Sequence, residues 1–272
     1  MTSYELWSES TAIPGSRESC IPRIHYYRAK RRTHKGSIII FPGGGYNHRA
    51  AHEGQGYAVD FVNAHGMDAF VVDYRVYPDF YPAPLLDARR AVRFVRYHAP
   101  DFGLDAKRVA VMGSSAGGNL IGLLCSDAAL NTNIAAYETG DEIDALDCMP
   151  NAQIHCYSYI SMCEEGLRHD GCSKNLLSET KMNLCTDISP ELHIADNAPP
   201  AFMFHTFADE TVNVIHCLRY AERLKNKNIP CEVHIFPEGA HGMGLGVHPD
   251  RGNPHAAQWP GLLWNWLIHR GF

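Results

Sequence analysis

Arg108-Val109-Ala110-Val111-Met112-Gly113-Ser114-Ser115-Ala116-Gly117 carries an apolar run straight into a glycine-flanked serine. The run reads as a buried strand, and Gly118-Asn119-Leu120-Ile121-Gly122-Leu123-Leu124 reads as the helix that follows. A G-x-S-x-G turn between strand and helix holds its central residue in a strained conformation, so the flanking positions must be small. The central residue is Ser115, not Ser114. The helix dipole favours negative charge developing beside it.

A serine hydroxyl is a weak nucleophile at neutral pH and needs a histidine base with an acid to orient it. Pro200-Ala201-Phe202-Met203-Phe204-His205-Thr206-Phe207 reads as a buried strand ending at Ala208-Asp209-Glu210. Asp209 is the acid candidate because it comes first after the strand, with Glu210 as its competitor. Cys231-Glu232-Val233-His234-Ile235-Phe236 is another strand, opening into Pro237-Glu238-Gly239-Ala240-His241-Gly242. His241 is the base candidate. His205 and His234 lie inside strands and His216 on a helix, positions that suit structural groups better than bases. His248 and His255 fall in the loop after His241.

Stabilising an oxyanion needs convergent backbone N–H groups. Ser37-Ile38-Ile39-Ile40-Phe41 is strand-like and leads into Pro42-Gly43-Gly44-Gly45-Tyr46. The amides of Gly44, Gly45 and Ala116 are the expected donors. A nucleotide-binding P-loop is excluded because no Lys-Ser/Thr follows the glycines.

These pieces resemble the α/β-hydrolase superfamily, in which the catalytic groups follow the chain order Ser, Asp, His and lie at the carboxyl ends of strands. Within it the chain is similar to esterases related to hormone-sensitive lipase and to small bacterial carbohydrate acetylesterases. Further matching segments are Val72-Asp73-Tyr74-Arg75-Val76-Tyr77-Pro78 and Tyr81-Pro82-Ala83-Pro84-Leu85-Leu86-Asp87-Ala88. Many of those esterases have His before the glycines; Pro42 is closer to the acetylesterase branch. The resemblance implies hydrolysis of short-chain carboxylic esters, acetyl groups on carbohydrate foremost, through an acyl-enzyme and without a cofactor. An amidohydrolase, such as a formamidase or peptidase, would use the same residues. A noncatalytic binding protein on this scaffold is the reading from another class, and such proteins usually lose a triad group. The cap contributions of the lipase-related esterases are short here, which implies a small lid or rim and an open site. Tyr46 and Asn47 are then candidate substrate contacts.

The 272 residues, 45% of them hydrophobic, suffice to bury one large core. A formal charge of -6 argues against nucleic acid as partner. No stretch approaches a membrane span, and Met1-Thr2-Ser3-Tyr4-Glu5-Leu6 does not read as a secretory signal, so a cytoplasmic enzyme acting on a small-molecule or oligosaccharide ester is expected. Oligomeric state is not legible. The 9 cysteines suit a reducing compartment. Five of them, Cys148, Cys156, Cys163, Cys172 and Cys185, crowd one region near His155 and His169, but no C-x-x-C pair occurs and no metal site is expected.

Alternating strand and helix patterns imply a mostly parallel sheet with helices on both faces. Helices are expected over Gly54 to His65, along the Leu85, Ala88, Val92 and Val95 face, over Asn213 to Asn228 and over Trp259 to His269, with Ala69 to Val72 a strand. Arg89, Arg90, Arg93 and Arg96 read as a solvated surface, and Lys30-Arg31-Arg32 as a solvated loop. The whole is expected to be one α/β-hydrolase domain over residues 1–272, with an irregular insertion over about 127–198 that contains a strand near Ala152 to Tyr159.

Overall fold

A computed structural model describes residues 1–7, 15, 18–127, 134–137, 139–248 and 250–272. Parts of the expected insertion, at 128–133 and 138, therefore lie outside the described residues. Eight strands form one sheet in the order β1-β2-β4-β3-β5-β6-β7-β8. They are β1 (Thr2–Glu5), β2 (Arg23–Tyr27), β3 (Ser37–Phe41), β4 (Asp68–Asp73), β5 (Val109–Ser114), β6 (Ala152–Cys156), β7 (Ala201–Thr206) and β8 (Cys231–Phe236). From β4 to β8 every neighbouring pair is parallel; β1 and β2 add an antiparallel edge.

The helices are α1 (Ala51–Gly56), α2 (Ala83–Tyr97), α3 (Ala99–Phe102), α4 (Ala116–Leu124), α5 (Asp170–Leu177), α6 (Ile215–Asn226) and α7 (Trp259–His269). All five residues of β3 are buried, as a central parallel strand covered on both faces requires. Its alternation divides the core: Ile39 and Phe41 join the side packed with α2 and α4 residues, while Ile38 and Ile40 join the side packed with α7. A third cluster seals α6 against β7 through Met203, Cys217, Tyr220 and Leu224.

The chain runs from β3 to β4 on one side, then crosses back to place β5 on the other. That reversal puts the carboxyl ends of β3 and β5 side by side, the crevice where open α/β sheets hold their ligands. The glycine loop and the serine turn leave from those two ends.

The edge strands β1 and β2 add to the strands expected from the sequence. Three expectations are corrected. The helix expected over Gly54 to His65 starts earlier, at Ala51, and passes through a wide π-type segment over Tyr57–Val62. The arginines of α2 are not a uniform solvated surface: Arg90 is buried, pairs with Asp141 and Asp144 at 2.6 and 2.9 Å, and lies over the Trp7 ring. Arg93 is buried too, and donates to the Leu146 carbonyl at 2.7 Å. Arg32, from the basic run, reaches the buried Asp68 at 3.0 Å.

Candidate active site

Ser115 stands between β5 and α4 with φ 50° and ψ −118°. The turn is pinned by its own backbone: the Ser115 amide donates to the Cys156 carbonyl at 3.0 Å, and its carbonyl accepts from Gly118 and Tyr159, each at 3.0 Å. A side chain at position 117 would put its Cβ 2.0 Å from the Phe41 carbonyl oxygen, so the close approach of α4 to β3 requires glycine there.

The Ser115 hydroxyl donates to His241 Nε2 across 2.9 Å, and His241 Nδ1–H donates to Asp209 Oδ2 across 2.7 Å. This tautomer follows from the carboxylate partner, which can only accept. Asp209 Oδ1 accepts the amides of Thr211 and Val212, both at 2.9 Å. His205 Nε2 lies 3.4 Å from Oδ2 while donating to the Val212 carbonyl at 2.8 Å, so this buried strand histidine supports the acid. Burial alone would raise the Asp209 pKa. The hydrogen bonds from His205, His241 and Val212 outweigh it and hold the carboxyl well below the usual carboxylate range. Glu210 is exposed and lies outside this chain of bonds.

Gly44 and Gly45 line the same cleft as Ser115 and His241. Gly44 has φ 129°, and a Cβ there would fall 2.1 Å from the His48 carbonyl oxygen, so only glycine lets the loop fold this tightly. The Gly43 amide is used elsewhere, donating to Glu53 Oε2 at 2.7 Å. Ala116 opens α4, so its amide has no partner one turn back in the helix. Gly44 and Gly45 thus share the cleft with Ser115, and Ala116 follows Ser115 in the chain.

The two candidate substrate contacts lie elsewhere. Tyr46 is wholly buried, and its hydroxyl donates to Asn119 Oδ1 at 2.8 Å, which makes it a core strut beneath the loop. Asn47 opens onto a neighbouring cleft with His25, Arg49 and Asp73. The walls of the cleft that holds Ser115 and His241, about 320 Å³, come instead from Tyr159, His169, Cys172, Val212 and Arg251. His169 and Cys172, which the sequence placed in a cysteine-rich stretch, sit at the start of α5. That helix is anchored to the glycine loop by Asn175 Nδ2, which donates to the Gly45 carbonyl at 2.9 Å.

Glu53 escaped the sequence reading entirely. It is buried, receives the Tyr157 hydroxyl at 2.7 Å through Oε1, and through Oε2 takes the Gly43 amide. Tyr157 in turn accepts the Gly244 amide at 3.3 Å and presents its ring edge-on to His241 at 5.1 Å. Burial, then the Glu53 charge, push the Tyr157 hydroxyl well above its ordinary value, so it stays a donor. One carboxylate therefore ties the glycine loop to the loop carrying His241. No local pattern marks a lone glutamate at the start of a short helix for this task.

A parallel sheet with this serine turn at its switch point defines an α/β-hydrolase of the esterase kind. The family model BD-FAE matches residues 25–224, and the chain belongs to that family. A solved acetyl ester-xyloside bifunctional hydrolase from Caldicellulosiruptor lactoaceticus is 36% identical, superposes with a TM-score of 0.89, and is covered over 97% of its length by 100% of this chain. Endo-1,4-beta-xylanase B of Butyrivibrio fibrisolvens is 29% identical over 88% of this chain and 37% of its own length. Acetylxylan esterase of Xylanibacter ruminicola is 29% identical over 78% of this chain and 42% of its own. The chain thus spans well under half of these two curated relatives. Among the described residues no helix is long and apolar enough to cross a membrane.

Proposed function

We propose that this chain hydrolyses short-chain carboxylic esters, acetyl groups on carbohydrate in particular, with Ser115, His241 and Asp209 as the catalytic residues. The observation that carries the reading is the unbroken hydrogen-bonded line from Ser115 through His241 to Asp209, opening on a cleft walled by Gly44 and Gly45. His241 takes the Ser115 proton as the oxygen attacks the acyl carbon, and Asp209 holds the tautomer and stabilises the imidazolium. The amides of Gly44, Gly45 and Ala116 receive the developing oxyanion. His241 then protonates the departing alcohol, and water, deprotonated by the same histidine, releases the acid. No step calls for a cofactor or a metal.

The carbohydrate part of the reading is supported by the relatives: one is an acetyl ester-xyloside hydrolase and another an acetylxylan esterase. The nine cysteines are all unpaired, as a reducing cytoplasm would keep them, and a cytoplasmic location belongs to the reading. The test is a product-release panel of acetylated xylo-oligosaccharides, aryl esters from acetyl to octanoyl, and N-formyl and peptide amides. Acetate release from the oligosaccharides and aryl acetate, with the amides inert, is the expected result. Faster turnover of the amides would replace it with the amidohydrolase reading, and inertness toward every arm would favour a binding protein.

A further inference from the structure

A second lobe abuts the catalytic cleft at His241. It is wider, about 600 Å³, and is walled by Ala208, Glu210, Thr211, Gly239, Ala240, His241 and Arg251. Thr211, His241 and Arg251 border both spaces, so the imidazole and the arginine form the sill between them. The first cleft contains the glycine loop and the apolar contacts of Cys172 and Val212, which suit an acyl group. The second is built wholly from the turn after β7 and the loop after β8.

Reaction chemistry assigns a purpose to the side of His241 away from the glycines. When the tetrahedral intermediate collapses, the bond between acyl carbon and alcohol oxygen breaks. The proton that His241 took from Ser115 passes to that oxygen. The leaving alcohol must therefore lie against the imidazole while the acyl group stays beside the amides. We infer that the lobe bounded by Glu210, Thr211 and Arg251 is the alcohol-side subsite, built for a polyhydroxylated leaving group, with Glu210 and Arg251 as its specificity-determining residues. The inference rests on the ester-hydrolase reading above and names the part of that site which would select the substrate.

The chemistry of the wall fits a sugar. Glu210 is an acceptor and Arg251 a fan of donors, and both are exposed and line the same lobe. A pair of that kind satisfies vicinal hydroxyls, which donate and accept together, and offers nothing to a hydrocarbon alcohol. The Thr211 hydroxyl adds a group of both kinds.

The experiment compares kcat/KM on acetylated xylotriose with kcat/KM on 4-nitrophenyl acetate, whose leaving group has no vicinal hydroxyls, for the native protein, R251A and E210A. The expected result is a fall of about tenfold or more in the ratio of the two values for each variant, carried by KM. Ratios within about twofold of the native one, or equal losses on both substrates, would overturn the assignment while leaving the esterase reading intact. A native protein that cleaves 4-nitrophenyl acetate but not acetylated xylotriose would overturn the carbohydrate reading and this assignment together. A native protein inert toward both would overturn the esterase reading itself.

Discussion

Ser115 is held at positive φ, a conformation costing a non-glycine residue on the order of 1–3 kcal/mol, and the cost is met by the hydrogen bonds that fix its backbone on both sides. Such a serine should react alone. A fluorophosphonate is expected to label Ser115, with peptide mapping as the check; a label on Ser114, which lies buried in β5, would reverse the assignment. Ser115→Ala keeps the fold and should lower kcat by on the order of a million-fold, by analogy with other triad deletions. Asp209→Asn keeps the shape but loses the acceptor that fixes the His241 tautomer, so kcat/KM on an aryl acetate should fall on the order of thousands-fold. Glu210→Gln should lose less than about tenfold there, and the opposite ranking in folded variants would show the wrong acid had been chosen. The places of Ser115, Asp209 and His241 were legible because each follows an apolar strand, and the turn that ends a strand fixes where the next side chains go. Tyr46 was misread for a related reason: its place after the glycines suggested the cleft, but a φ of 56° swings it into the core. Nothing in one dimension marks that reversal.

At the scale of elements, the proposed reaction needs the loop after β3 and the loop after β8 to keep register so that the proposed oxyanion donors and base serve one acyl group, and Glu53 with Tyr157 is the tie between the loops. Glu53 acts as a positioning residue. Glu53→Gln and Tyr157→Phe are each expected to lower kcat by about tenfold or more while KM stays within about threefold, because mispositioned donors hurt the transition state more than the bound ester. The double variant should cost little beyond either single one, since both break the same tie; fully additive losses in a double-mutant cycle would contradict the link. A second expectation concerns α5, whose anchoring to Gly45 helps close a cleft of about 320 Å³. A long acyl tunnel would repay each buried methylene by about 0.8 kcal/mol. This cleft has little room for one, so kcat/KM should fall from acetyl to octanoyl esters; rates rising steadily along that series, measured below micellar concentrations, would point to a lipase-like site. The helices α2, α6 and α7 were legible from apolar spacing. Strands β1 and β2 were not, because β1 is four residues long and mostly exposed, and the antiparallel pairing of β2 with β4 is a long-range contact.

For the whole molecule, several charges are built into the frame rather than left on its surface. Arg75 and Asp87 are both fully buried and pair at 2.8 Å, and Arg90 draws Asp141 and Asp144 toward α2. Spacing alone could not separate Arg90 and Arg93 from the more solvated arginines of α2, since both kinds follow the same helical period. Three histidines are buried as well, and burial lowers the pKa of two of them, His155 and His216. His155 Nε2–H donates to Gln153 Oε1 at 3.0 Å, Nδ1 accepts from Ser158 at 3.2 Å, and burial lowers its pKa from 6.5 to about 3. His216 Nδ1 accepts the Ser161 amide at 3.0 Å, and burial, with smaller opposing contributions, lowers its pKa to about 4. Both folded-state values lie below the unfolded value, so as the pH drops below about 6.5 the unfolded chain binds protons that the folded chain refuses. The stabilisation is complete above that point and declines down to the folded-state values, by about 1.4 kcal/mol per pH unit for each histidine. Asp209 is different: its carboxyl is held below the ordinary value of 3.8, so its contribution is lost only at pH below that, outside this window. Between pH 6.5 and 5 the two histidines together should therefore remove about 3 kcal/mol. Urea midpoints at pH 7.5, 6.5, 5.5 and 5.0 measure the decline, and His155→Gln, which does not titrate, should cut its slope by about half. A variant whose stability falls with pH as steeply as the native protein's would mean that acid enters the fold elsewhere than at this buried imidazole.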